Sequence, residues 1–85
     1  MNKKDKLIID LINKMFQIAG HEVYYEDIKN RKDAWYEDWT MSMKEYEQWR
    51  EYGIFRIRKE LRYTKTMAEK EMGMIGLMWG LKFSD

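Results

Sequence analysis

The sequence predicts an all-α fold: a small bundle of about four helices in a single domain, 1–85. There is no proline, and only Gly20 and Gly53 precede residue 73, so helix breakers are scarce. Apolar residues recur at helical spacing, and no stretch sustains the alternation of a strand. Two Ser/Thr-x-x-Glu patterns mark helix starts.

The first helix is expected at 3–19. Leu7, Ile8, Leu11, Ile12, Met15, Phe16 and Ala19 follow the i, i+3, i+4 rule for one buried face. Lys3, Lys4, Asp10, Asn13, Lys14 and Gln17 cover the other side, and Gly20 supplies a left-handed stop. A second helix is expected at 24–39, with Tyr24, Ile28, Trp35 and Trp39 on one face. Its charged middle leaves open a break at Asn30 or Asp33, either of which can cap a new helix. Thr40–Ser42 reads as a loop.

Ser42 and Glu45 form a capping box that opens the third helix, 43–62, whose inward face is Tyr46, Trp49, Gly53, Ile57 and Leu61. A mid-helix glycine costs about 1 kcal/mol against alanine, so Gly53 implies that something packs closely there. A second capping box, Thr66 with Glu69, opens the last helix, 67–79, which Gly80 ends. Leu81 and Phe83 are expected to fold back onto the bundle.

A chain of this size buries roughly 60–65% of its unfolded surface, enough for a small core with little stability to spare. The absence of cysteine excludes disulfides and thiolate metal sites. Lys3, Lys4 and Lys6 precede an apolar stretch that Asp10, Asn13 and Lys14 interrupt, so no signal peptide is expected. No run approaches the ~20 apolar residues of a membrane span. The expected location is the cytoplasm, away from membranes.

Catalysis is not expected. The hydroxyls are few, and His21 is the lone histidine to serve as a base. His21 with Glu22 and Glu26 lacks the second histidine that makes a zinc site recognisable. Glu26–Asp27 and Glu37–Asp38 are adjacent pairs whose members point about 100° apart on a helix, so neither forms a dyad. The glycines of the last helix lack the lysine and strand of a phosphate-binding loop. No catalytic residue, metal ligand or cofactor site is therefore assigned.

Two surfaces stand out for binding. Opposite the core face of the third helix lie Glu51, Phe55, Arg58, Lys59 and Arg62, an aromatic ringed by cations that suits a protein groove or a nucleic-acid backbone. The bland alternative buries Phe55 under another helix. The second surface is on the last helix. There Glu69, Gly73, Gly76 and Gly80 form one arc, and Met67, Met74, Ile75 and Met78 form another, extended by Ala68, Met72 and Trp79. Packing inside the monomer is the simpler reading; the sharper one makes Met72, Gly73, Gly76 and Trp79 a homodimer contact. Glu71, if buried, would need Arg50 or Arg56.

Charge is unevenly spread. From Glu22 to Glu51 there are nine acidic side chains against five basic, whereas Ile54 to Lys65 holds Arg56, Arg58, Lys59, Arg62 and Lys65 against Glu60 alone. Nucleic-acid binding through 56–65 is the alternative this raises, and the net charge of +1 ranks it second.

The pattern W-x-M-S-M followed by W-x-x-x-G (Trp39 to Gly53), with IAGHEVYYEDIKNRKD (Ile18 to Asp33) and AEKEMGMIGLMWGLKFSD (Ala68 to Asp85), resembles small proteins encoded by tailed bacteriophages. The resemblance covers most of the chain and carries over no functional residue. It implies a phage accessory protein that binds and modulates a host protein, host-defence components such as RNA-guided nucleases included. A small structural protein of the virion is the other role it allows.

Overall fold

A computed structural model describes residues 2–20, 40–79 and 81–84. Among them are three helices and no strand: α1 (Lys3–Ile18), α2 (Met43–Leu61) and α3 (Lys65–Met78). The all-α expectation holds among the described residues, where three of the four expected helices are found. The helix expected at 24–39 lies outside the described residues, as do His21, Glu22, Glu26, both adjacent carboxylate pairs and Gly80.

Each helix starts where a short polar side chain can accept a free backbone N–H. Asn2 Oδ1 takes the amide of Asp5 at 2.8 Å. Ser42 and Glu45 form the expected reciprocal box, with bonds of 3.1 and 2.8 Å. The start of α3 differs from expectation. Thr64, not Thr66, is the cap, and its hydroxyl accepts from the amide of Met67. The carboxylate that would have closed a box on Thr66, Glu69, is held instead by Arg50 of α2 at 2.7 Å. Gly20, at φ +82°, makes the left-handed stop after α1.

The α2 helix lies between the other two. Its indole at Trp49 is fully buried and donates to the Leu11 carbonyl of α1 at 2.8 Å. That bond satisfies a buried donor that would otherwise cost about 1–3 kcal/mol. Toward α3, Gly53 opens a notch that the thioether of Met72 fills. A Cβ at position 53 would overlap Met72 Sδ and Cε and sit 3.3 Å from Cγ. The close packing implied by Gly53 is therefore real. Leu7, Leu11, Ile12, Met15 and Phe16 of α1 join Trp49, Ile57, Ala68, Met72, Ile75 and Trp79 in one core.

The tail closes the end of this core. Leu81 packs over Gly76, its Cδ2 3.2 Å from where a Cβ at that position would lie, and donates its amide to the Gly76 carbonyl at 2.9 Å. Met41 and Phe83 form a parallel bridge, with Met41 N–H on Lys82 O and Ser84 N–H on Met41 O. Phe83 meets Tyr46 edge-on at 5.3 Å. Met41, read as a loop residue, is thereby fully buried.

No helix among the described residues is long and apolar enough to cross a membrane. On the α1–α2 seam, the Arg56 guanidinium bonds Glu60 and the Tyr52 hydroxyl, and lies 3.7 Å from Asp10 of α1. The bond from Arg56, helped by Lys3 and Lys59, holds the Glu60 carboxyl below the ordinary carboxylate range. A lowered folded value means that this increment of stability is present above the ordinary range and lost as pH falls through the lowered value. Glu60→Gln should accordingly be less stable than the parent at neutral pH, and the gap should close on acidification. Urea unfolding at several pH values checks this; a pH-independent gap would assign the loss to packing instead.

Candidate partner-binding groove

On the outer side of α2, two ridges at i, i+4 spacing run along the helix. One is Arg50, Ile54, Arg58, Arg62; the next is Glu51, Phe55, Lys59. With Tyr63 and Lys65 beyond the helix end they line an open groove of about 840 Å³. The sequence expectation for Phe55, Arg58, Lys59 and Arg62 places all of them here, and the structure brings them together. It missed Arg50, Ile54 and Tyr63, although Arg50 and Ile54 were legible as continuations of the Arg58–Arg62 ridge.

Phe55 is 62% exposed and packs under neither α1 nor α3. The Lys59 ammonium sits 5.7 Å from its ring centroid, within cation–π range. Arg50 is neutralised by Glu69. Among the described residues no carboxylate forms an ion pair with Arg58, Lys59, Arg62 or Lys65. Tyr63 is half-buried, and Lys4 lies over its ring at 5.8 Å.

One cation of the basic run does not belong to the groove. Arg56 faces α1, committed to Glu60, Tyr52 and Asp10. The reason is helical phase: positions 52, 56 and 60 share the α1 side of α2. The expected partners of Glu71 are corrected in the same way. It pairs with Lys4 of α1 at 3.4 Å, because Arg50 and Arg56 are already engaged.

The surface expected for self-association is not assembled. Met72 is fully buried, Gly76 is buried under Leu81 and near Trp49, and Trp79 is 9% exposed with its ring edge-on to Phe16. Only Gly73 faces open space. The inner face of α3 is Ala68, Met72, Ile75 and Gly76, while Met67, Met74, Leu77 and Met78 are exposed. The two arcs drawn from the sequence were therefore rotated from the real division. From Met72 to Met78 every residue is apolar or glycine, so the helical wheel offered little contrast there.

Among the described residues no group of three potential metal ligands gathers. No protein-family model, no curated protein and no solved structure matches the chain. The groove's own chemistry therefore carries the functional reading.

Arg62 has a backbone feature of its own. It caps α2 in the left-handed region, φ 57° and ψ 32°, where glycine is the usual occupant because a Cβ is crowded there. Arg62→Gly is expected to raise stability by about 0.5–1 kcal/mol, measured by urea unfolding. A destabilised variant would mean that the arginine side chain contributes packing that its exposure does not suggest.

Proposed function

We propose that this chain is a non-enzymatic binding protein that docks on another protein through the Phe55 groove and modulates it. The observation that carries the reading is Phe55 itself, 62% exposed on a helix whose opposite face is closed by Trp49, Gly53 and Ile57. Aromatic residues and arginine are enriched at protein interfaces, where a few residues carry most of the binding energy. An accessible phenylalanine contributes nothing to the core, and it stands beside cations that form no ion pair with a described carboxylate.

The resemblance to small phage proteins supplies the setting: an accessory protein in the host cytoplasm, acting on a host protein, host-defence machinery included. Nucleic-acid binding through 56–65 is weakened by two features. Arg56 is committed to the α1 seam, and Glu51 places a carboxylate next to Phe55 in the groove.

Affinity purification with wild-type and Phe55→Asp baits tests the reading. Phe55 is exposed, so the variant should keep its helix content by circular dichroism. The expected result is one or more host proteins retained by wild type and lost with Phe55→Asp. Identical retention by both baits would sink the proposal.

A further inference from the structure

The charges of the groove restrict what can occupy it. Resting on the reading that the groove is the contact surface, we propose that its occupant is an acidic protein segment. That segment presents an apolar side chain to Phe55, with Asp or Glu on either side.

Arg58, Lys59, Arg62 and Lys65 line the groove without a carboxylate partner among the described residues. A neutral or basic surface laid over them would strip their hydration and return nothing, because like or uncompensated charges across an interface are unfavourable. An acidic surface gains both attraction and register. At the centre, Phe55 and the half-buried Ile54 give the apolar anchor that a charged rim surrounds in protein interfaces. Arg62 strengthens the case independently. It stands in a left-handed cap where glycine would be less strained, and strained backbone concentrates where function demands a particular side chain.

A nucleic-acid strand would also satisfy the cations, but the groove suits it less well. Single strands are bound by stacking successive bases on aromatic platforms along a cationic track. Among the described residues lining the groove, Phe55 is the one well-exposed ring, since Tyr63 is half-buried beneath Lys4. Glu51 lies on the same ridge as Phe55, where a phosphodiester backbone would meet a carboxylate. The net charge of +1 gives little long-range attraction for a polyanion.

Fluorescence anisotropy with the whole chain tests this, using three labelled probes. The first is a short peptide of Glu and Asp interspersed with Leu. The second replaces its acids by Gln, and the third is an oligo-dT strand of matching length. The acidic peptide should bind, with affinity falling about tenfold or more between about 50 and about 300 mM salt. The Gln peptide and oligo-dT should bind at least about tenfold more weakly. Phe55→Ala and Arg58→Ser should each weaken the acidic peptide about fivefold or more. Absence of acidic-peptide binding at about 1 mM, or equal binding of the Gln peptide, would overturn the proposal. Tighter binding of oligo-dT, lost in Arg58→Ser, would assign the groove to nucleic acid instead. If host proteins depend on Phe55 but are retained unchanged by an Arg58→Ser bait, the groove remains the contact surface and the acidic-partner inference alone fails. If neither substitution alters retention, both fall.

Discussion

Carbon atoms in a protein interior pack at about 3.5–4.0 Å, and Met72 Sδ and Cε occupy the space where any side chain at position 53 would begin. A side chain at position 53 would therefore have to displace the buried tail of Met72, through which α3 leans on α2. Met72 and Trp49 are both fully buried on the inner side of α2, one reaching in from α3 and the other bonded across to Leu11 of α1. A helix held in this way by both neighbours has little freedom to roll about its axis. Its outer ridges, with Phe55 and the groove cations, are presented in a fixed orientation.

The two sides of α2 follow different physical rules. Inside, every polar group is matched: the indole has its carbonyl, and no polar or charged residue among the described ones is buried. Arg56, at the seam, is engaged by Glu60, Tyr52 and Asp10. Outside, the cations from Arg58 onward are exposed and form no ion pair with a described carboxylate, and an aromatic ring is exposed among them. The proposed docking role rests on this asymmetry, since a single exposed apolar residue is by itself ordinary.

Much of this was legible in the sequence, where contrast between polar and apolar positions was strong. The α1 face from Leu7 to Phe16 and the Ser42–Glu45 box were read correctly, and so was the α2 face of Trp49, Gly53 and Ile57. Phe55 with Arg58, Lys59 and Arg62 could be grouped because the i, i+4 ridges are charged and distinct. Contrast failed in the second half of α3, where Met72 to Met78 are all apolar or glycine and only tertiary packing decides which side is inner. Thr64 and Thr66 both have cap chemistry; the choice fell to Thr64 because Glu69 bonds Arg50, a partner distant in sequence. Met41 could not be placed in the core from local pattern, since its burial depends on pairing with the segment around Phe83.

The close approach of Gly53 and Met72 is tested most directly by a double-mutant cycle on unfolding free energy. In the parent background, Gly53→Ala should destabilise by about 1–2 kcal/mol, because displacing the buried Met72 tail outweighs the gain in helix propensity. In a Met72→Ala background the space is vacated, and the same substitution should stabilise by about 0.5–1 kcal/mol. A change of sign between the two backgrounds is the expected result. Equal stabilisation by Gly53→Ala in both would contradict the account, since it would mean that α3 does not lean on α2 at this notch.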